Sequence, residues 1–348
     1  MREKKWPQWA VAVLLASLGC QLSACIHGQA EESDEPTASA VTHASGEWYE
    51  VVSQLPGPEV TDAAMRRKVE QSGHPWKVRD RVTGIEMVLV MPGEFLMGSP
   101  ESEPGRSADE GTQHSVRLTR AFYLGATEVT QAQWKRMTGS SQGFFVGDDK
   151  PADGSWHDLQ AFLDKANANL PTGTEPLRAP TEAEWEYACR AGTTGPFSFS
   201  GPVGHDMLNH NDGRVGSPYQ DGKLVVVDGR LQVEWVFPAS LGCRMGTAPA
   251  GSLPANPWGL HEMHGNLCEW TADKYTPEGY APDGSIVVDP FVPAMGDEAH
   301  ALRGGDWYKN AHASRSSARD LGGPQTRSNR IGFRVARTLT LRSAPTPP

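Results

Sequence analysis

The chain has 348 residues, of which 38% are hydrophobic and 21% are charged, a composition typical of a soluble globular protein with one sizeable core. Its formal net charge of -10 argues against a nucleic-acid partner, because neutralising phosphates requires a basic surface. The 37 glycines, 27 prolines and 11 tryptophans favour a loop-rich α+β domain over a helical bundle.

Residues 1–24 have the features of a lipoprotein signal peptide. A positively charged start precedes a mostly apolar run, Trp9–Ser23, that is too short for a membrane-spanning helix. At the end of this run, Leu22–Cys25 resembles a bacterial lipobox. We therefore expect Cys25 to be lipidated and to become the new N-terminus. Cys20 is a weaker candidate for lipidation, and plain secretory cleavage near Ala24 is the alternative.

A lipid such as palmitate on Cys25 would anchor the protein in a bacterial cell envelope, at the periplasmic face or in the outer membrane. The residue directly after this cysteine is Ile26 and not an aspartate, which favours the outer membrane over the inner one. Residues 25–81 are predicted to be a tether and an N-terminal extension. The stretch 27–46 is too polar to fold alone, and Ala63–Gln71 has helical character that we cannot assign to a fold.

Four short strands are predicted at the start of the folded domain, which we place at residues 82–338. Ile85–Val90 is an apolar, β-branched run before a Pro-Gly pair, and Glu94–Met97 is its return strand. Val116–Leu118 and Phe122–Leu124 are the next two strands.

Three helices follow, and each is preceded by a residue that can cap it. Thr130 precedes Gln131–Met137, Ser155 precedes Trp156–Asn167, and a capping box of Thr181 and Glu184 opens the helix that contains Trp185–Arg190.

Two longer segments have other patterns. Lys223–Val227 and Leu231–Val236 flank an Asp-Gly-Arg turn and predict a β-hairpin inserted on the surface. Tyr275–Ala299 is irregular, and irregular loops on a compact scaffold commonly carry binding functions. Residues 339–348 are predicted to be a tail.

Six sequence blocks carry a family resemblance through their order and spacing. They are MPGEFLMGS (Met91–Ser99), FYLGATEVTQAQWKRMTG (Phe122–Gly139), LRAPTEAEWEYACRAG (Leu177–Gly192), GLHEMHGNLCEW (Gly259–Trp270), ALRGGDWY (Ala301–Tyr308) and IGFRVAR (Ile331–Arg337). Together they resemble the formylglycine-generating-enzyme family, also called the sulfatase-modifying-factor family. This resemblance implies an irregular, loop-rich α+β fold similar to the C-type lectin fold.

The oxidases of this family carry two cysteines shortly after the RGG block, which bind copper(I) and hold the substrate cysteine. Lys309 and Ser314 stand about where those cysteines would be, and neither an ammonium nor a hydroxyl group suits copper(I). We therefore predict no catalytic residue for cysteine-to-formylglycine oxidation and no bound copper.

The remaining cysteines are Cys189, Cys243 and Cys268. In the family's oxidases the residue matching Cys189 forms a disulfide with a position that is Val335 here, so Cys189 lacks that partner. Cys243 and Cys268 either pair with each other or, together with Cys189, remain buried thiols.

The resemblance also implies calcium. The family's calcium ligands correspond to Glu262, Gly265, Leu267 and Glu269, which supply two carboxylates and two carbonyl oxygens. A second calcium site would begin at Asn209, with later ligands at Gly242 and Arg244. The alternative for Glu269 is a buried, hydrogen-bonded carboxylate that holds loops together.

The same block also contains residue types that suit a different metal. His261, His264 and Cys268 offer two imidazoles and a thiol, which suit zinc or copper. The alternative is that both histidines are ordinary core or surface residues, because the family fold already accounts for their spacing.

The C-terminal block is locally basic in an acidic protein, with Arg303, Arg315, Arg319, Arg327, Arg330 and Arg334. We expect Arg303, Arg319 and Arg334 to pair with buried acids such as Glu184 and Glu269. Arginine offers bidentate recognition of carboxylate or phosphate, and Trp and Tyr offer rigid contact area. The predicted ligand-binding residues are Asp306, Trp307, Tyr308, Lys309, Asn310, His312 and Arg315.

Three functions remain open. We favour an envelope lipoprotein whose domain binds a protein, peptide or small-molecule ligand, or has a structural role, without oxidase activity. The first alternative is an enzyme of different chemistry, like the family relatives in pyoverdine maturation or ergothioneine synthesis, with Glu262, His264 or His312 as its base. The second is a retroelement-diversified variable binding protein, because such family members vary within the same C-terminal block.

Overall fold

Short strands, short helices and long connections form the domain in the computed structural model, which describes residues 48–211, 245–278 and 284–339 in full and the backbone of 222–227 and 230–235. The described strands are β1 (Tyr49–Ser53), β2 (Lys77–Asp80), β3 (Glu86–Val90), β4 (Gly93–Met97), β5 (His114–Leu118), β6 (Phe122–Gly125), β7 (Gly222–Val227), β8 (Arg230–Trp235), β9 (Cys268–Lys274), β10 (Val287–Val288), β11 (His300–Arg303), β12 (Arg319–Gly322), β13 (Ile331–Gly332) and β14 (Ala336–Thr338). The described helices are α1 (Ala63–Ser72), α2 (Gln131–Thr138), α3 (Trp156–Asn167) and α4 (Glu182–Arg190), with 3-10 turns at Ala108–Glu110 and Ala311–Ser314.

A five-stranded antiparallel sheet with the order β1-β2-β3-β6-β14 joins distant parts of the chain. Its middle strand, β3, is buried from Met87 to Val90, in agreement with the apolar run that predicted it. Residues 25–81 were predicted to be a tether and an N-terminal extension, but β1 and β2 within them extend this sheet, and α1 confirms the helical pattern of Ala63–Gln71. The fold therefore begins before the predicted boundary at residue 82.

Two further sheets have the orders β10-β5-β4 and β12-β11-β9-β13. The four predicted strands β3 to β6 are confirmed with shifts of one or two residues at their ends. The prediction that β4 is the return strand of β3 is wrong, because β4 pairs with β5 in another sheet whereas β3 pairs with β2 and β6. β7 and β8 pair in antiparallel register and confirm the predicted hairpin strands, whereas the turn between them lies outside the described residues. β9 lies between β11 and β13, so the sheet unites three of the six sequence blocks.

The three predicted helices begin at their predicted caps. The hydroxyls of Thr130, Ser155 and Thr181 each accept a hydrogen bond from the backbone N–H three residues later, and each helix has a full capping box. Every residue of α4 is buried, including three glutamates and an arginine, so these charges require internal partners. No helix among the described residues is long and apolar enough to span a bilayer.

Candidate functional site

The tight turn after β11 positions the residues that we predicted to bind a ligand. Gly305 has a left-handed φ of 70°, and a side chain there would lie 2.4 Å from Ser314 Oγ, so the turn requires glycine. Asp306 is buried, and its Oδ1 accepts hydrogen bonds from the backbone N–H groups of Tyr308 at 2.9 Å and Lys309 at 3.1 Å. Burial raises the pKa of Asp306. Asp306 therefore shapes the turn and does not face a ligand, in contrast to our prediction.

A row of aromatic rings runs across the surface beside this turn. The ring centroids of Tyr308 and Trp307 are 5.6 Å apart, those of Trp307 and Phe145 are 5.2 Å apart, and those of Phe145 and Phe144 are 5.0 Å apart. The Arg330 guanidinium lies over the Tyr308 ring, 5.4 Å from its centroid. We call Phe144, Phe145, Trp307, Tyr308 and Arg330 the aromatic surface.

The loop 143–147 supplies the part of this surface that was not predicted from the sequence. Gln131 donates from Nε2 to the Phe145 carbonyl at 2.7 Å, and the Asp153 carboxylate accepts from the Phe144 N–H at 2.6 Å. Although these bonds hold the loop, the side chains of Phe144 and Val146 are 69% and 84% exposed. The available sequence signal was a Phe-Phe-Val triplet between two glycines, beyond the end of a helix. Apolar side chains held in solvent are typical of an interaction site.

The other polar residues of the predicted site differ in accessibility. Lys309 forms an ion pair with Asp320 at the edge of the turn, so its charge is already compensated. Asn310 and His312 are exposed, and His312 packs against Gly105, where an added side chain would lie 2.4 Å from the imidazole. Asn310 and His312 thus remain available to a ligand.

Arg315 is buried and does not belong to the ligand-binding surface that we predicted. Its Nη1 donates to Glu103 at 2.6 Å and to Glu110 at 2.8 Å, its Nη2 bonds Glu110 and the Gly105 carbonyl, and its Nε donates to the His312 carbonyl at 3.0 Å. This guanidinium compensates two buried carboxylates, so its role is to join two loops.

Two of the three buried glutamates of α4 pair with other arginines of the C-terminal block. Arg319 binds both carboxylate oxygens of Glu182, at 2.6 and 3.0 Å, and Arg303 pairs with Glu186. We expected Glu184 to be among the partners of this block. Instead it accepts two hydrogen bonds of 2.7 Å from Arg178. These pairs confirm a structural role for Arg303 and Arg319.

The carboxylates at the predicted calcium site are already engaged. Glu269 accepts two hydrogen bonds of 2.7 Å from Arg334 and one of 2.7 Å from Trp185 Nε1, all in the core. Glu262 accepts from two backbone N–H groups, those of Gly251 at 2.9 Å and Leu253 at 3.0 Å. An arginine bound to a ligand carboxylate opposes a cation there, so this arrangement does not fit calcium. It favours the alternative of carboxylates that hold loops together.

The carbonyls of Gly265 and Leu267 were the other two predicted calcium ligands. The N–H of Gly265 donates to the Gly304 carbonyl at 2.7 Å, and that of Leu267 donates to Glu128 at 3.1 Å, so both residues are held inside the core. Burial and the charges of Glu262 and Glu269 raise the pKa of Glu128 well above its usual value. Across the described ranges, no three His, Cys, Asp or Glu side chains are grouped to hold a metal.

Asn209, the first residue of the predicted second calcium site, is buried beside Asn266. Its Nδ2 donates to the Asn266 Oδ1 at 3.0 Å and to the Gly246 carbonyl at 2.9 Å. The later ligands of that site, Gly242 and Arg244, lie outside the described residues, as does Cys243.

His261, His264 and Cys268 do not form the transition-metal set that their residue types allowed, and the alternative of ordinary histidines is favoured. His264 is buried with its Nδ1 2.8 Å from the Ser314 carbonyl, and its Nε2 accepts from the Ser198 N–H at 3.1 Å. Burial lowers its pKa to about 4. His261 instead bonds the Leu253 carbonyl at 2.8 Å, and the Sγ of Cys268 lies 3.9 Å from a carboxylate oxygen of Asp306. The imidazoles are therefore structural.

Cys189 is a buried free thiol, as we expected in the absence of its disulfide partner. Its Sγ lies 3.7 Å from the Nε2 of His264. Burial raises its pKa to about 12 and raises that of Cys268 as well, so both groups remain thiols at neutral pH.

Comparison with known proteins identifies the family. Residues 74–339 match the FGE-sulfatase family, described as the sulfatase-modifying factor enzyme 1-like domain. The chain belongs to this family. The match confirms the resemblance found in the six blocks, and the loop-rich α+β fold of the formylglycine-generating-enzyme-like and C-type-lectin-like kind is confirmed with it.

The chain spans about half to three fifths of the length of the two formylglycine-generating enzymes that it matches. The chain is 35% identical over 167 residues to the formylglycine-generating enzyme of Mycobacterium tuberculosis, covering 45% of this chain and 50% of that protein. It is 33% identical over 225 residues to the formylglycine-generating enzyme of Streptomyces coelicolor, covering 62% of this chain and 61% of that protein. The structure of PvdO from Pseudomonas aeruginosa matches with a TM-score of 0.58 and 30% identity, over 76% of this chain and 98% of PvdO.

Proposed function

We propose that this chain is a bacterial envelope lipoprotein whose FGE-like domain binds a partner through the aromatic surface and does not oxidise cysteine to formylglycine. The observation that carries the proposal is the anchored loop 143–147, which holds Phe144 and Val146 in solvent while Phe145 contacts Trp307. Aromatic side chains of this kind supply contact area at low entropic cost. Exposed Asn310 and His312 add polar contacts at the rim.

The chemistry of the described cysteines supports the absence of oxidase activity. Copper(I) requires thiolates, but Lys309 and Ser314 stand about where the family's oxidases have cysteines. Cys189 and Cys268 are buried with raised pKa values, so neither offers an accessible thiolate.

An enzyme of different chemistry is the second candidate, because the likeness to PvdO covers nearly all of that protein. The bases that we considered are poorly placed for it. Both oxygens of Glu262 accept backbone hydrogen bonds, and both ring nitrogens of His264 have partners in the core. Of the three, His312 alone is exposed. Binding therefore accounts for more of the described geometry than catalysis does.

Photocrosslinking in living cells tests the binding proposal. A photoreactive amino acid is placed at Val146 or Asn310 of the full chain, and the exposed Leu55 in the connection before α1 is the matched control. We expect one shared crosslinked product from Val146 and Asn310 and none of that size from Leu55. The same pattern at all three positions, or no product at any of them, would overturn the proposal.

A further inference from the structure

A groove of about 800 Å³ lies apart from the residues of the aromatic surface. A volume of this size is typical of ligand sites, and a second cleft, beside α1, has only about 400 Å³. The groove is lined by α3, by the segment 175–181 and by the loop 289–294. None of the residues that we predicted to bind a ligand lines it.

The loop 289–295, directly after β10, forms an apolar wall of the groove, although its backbone is firmly held. The backbone of Val292 is bonded to the end of β9: its N–H donates to Asp273 Oδ1 at 2.9 Å, and its carbonyl accepts from the Lys274 N–H at 2.7 Å. Asp289, at a left-handed φ of 44°, accepts from the Thr119 N–H at 2.8 Å. Phe291 is nevertheless 51% exposed and the adjoining Met295 is 70% exposed. A fixed loop that presents such side chains to solvent is typical of an interaction surface.

Part of the groove lining is aromatic and uncharged. The rings of Trp156 and His300 are stacked with their centroids 3.7 Å apart, and both residues line the groove. The Nδ1 of His300 is 3.2 Å from the Thr271 carbonyl, and burial lowers the pKa of this imidazole. His300 is therefore neutral at physiological pH and adds to the apolar lining.

The charges of the groove divide into paired and unpaired groups. Arg178 and Glu184 neutralise each other through two hydrogen bonds of 2.7 Å. Arg120 and Asp164 are exposed, and no ion pair or side-chain hydrogen bond joins either of them to another residue in the described part of the chain. The groove thus offers apolar walls together with an unpaired cation, Arg120, and an unpaired anion, Asp164.

We propose that this groove binds an extended peptide segment of a protein partner, with an apolar side chain against Phe291 and an acidic side chain at Arg120. A plain hydrocarbon ligand would leave Arg120 and Asp164 unmatched, whereas a peptide supplies apolar and charged groups along one chain. The site is separate from the aromatic surface, so it stands or fails independently of the function proposed above.

Peptide selection on the full mature chain tests this inference. A phage-displayed library of random peptides is selected on the wild-type protein, and enriched peptides are titrated by fluorescence polarisation. We expect the enriched peptides to share an apolar residue near an acidic one. Phe291→Ala and Arg120→Glu should each weaken their binding about tenfold, or about 1.4 kcal/mol, which exceeds the roughly 1 kcal/mol that separates important interface residues from the rest.

Matched controls distinguish binding in this groove from binding at the aromatic surface. Phe144→Ala removes an exposed phenylalanine from the aromatic surface, and Arg67→Glu reverses an exposed arginine of α1. Both controls should bind the peptides as the wild type does, with all four variants retaining the wild-type melting temperature. The inference is overturned by a lack of enrichment, by peptides that lose affinity for Phe144→Ala instead, or by sedimentation showing a wild-type dimer that Phe291→Ala disrupts.

Discussion

Replacing Arg315 with methionine should destabilise the domain by about 3–5 kcal/mol at neutral pH, since breaking a buried ion pair leaves an uncompensated charge. The structure favours the upper part of this range, because one guanidinium compensates both Glu103 and Glu110 and also bonds two carbonyls. The loss is a large fraction of the stability of an ordinary domain. If Arg315 instead faced solvent as a ligand-binding residue, the change would be close to zero.

The pH dependence gives this prediction a second signature. Burial raises the pKa of Glu110, but hydrogen bonds from Arg315 and Ser99 outweigh that effect and hold the pKa at about 2, below its usual 4.5. A lowered pKa means that the carboxylate contributes its full stability above pH 4.5 and loses it as the pH falls towards 2. The stability difference between wild type and Arg315→Met should therefore shrink as the pH is lowered towards 2, because protonation removes the uncompensated charge of the variant first.

Urea unfolding followed by tryptophan fluorescence measures both effects. Arg327→Met is the matched control, because Arg327 forms an exposed pair with Asp158 and should cost less than about 1 kcal/mol. Adding Glu103→Gln and Glu110→Gln to Arg315→Met should recover much of the lost stability by removing the unpaired charges. A loss no larger than that of Arg327→Met, or one independent of pH, would refute the reasoning.

Further predictions concern the N-terminus, the thiols and calcium. Cys25→Ser should abolish incorporation of labelled palmitate in a bacterial host, whereas Cys20→Ser should leave it unchanged; the reverse pattern would reassign the anchor. Cys189 and Cys268 should resist iodoacetamide in the folded protein and react in urea, as peptide mass spectrometry would show, because both are buried. The melting temperature should be the same in calcium and in chelator, because Arg334 already neutralises Glu269; a clear fall in chelator would contradict this.

Local signals in the sequence predict much of the fold. Thr130, Ser155 and Thr181 each indicate the start of a helix, because a capping box is formed by residues only three positions apart. The apolar run that forms β3 is recognisable for the same reason, since its pattern lies within a single strand. The strands β1 and β2 are not recognisable in this way, because they have little apolar pattern of their own. They become strands by joining the sheet next to β3.

The candidate site was harder to derive, because its side chains find partners far away in the sequence. Arg315 has the residue type and the position of a ligand-binding residue, but its partners Glu103 and Glu110 are more than 200 residues away in the sequence. Trp307 and Tyr308 were found from their motif, whereas Phe145 joins them from a distant part of the chain. Sequence identifies which residues can bind, and the tertiary contacts decide which of them remain available.

The most direct test of the central claim is an oxidase assay on the purified mature protein supplied with copper(I), oxygen and a sulfatase-derived cysteine peptide. The formylglycine-generating enzyme of Streptomyces coelicolor is the positive control, and elemental analysis reports the copper bound by each protein. We predict no formylglycine and no stoichiometric copper, because Lys309 and Ser314 cannot hold this ion and the described thiols are buried. Formylglycine formation with near-stoichiometric copper would contradict the account.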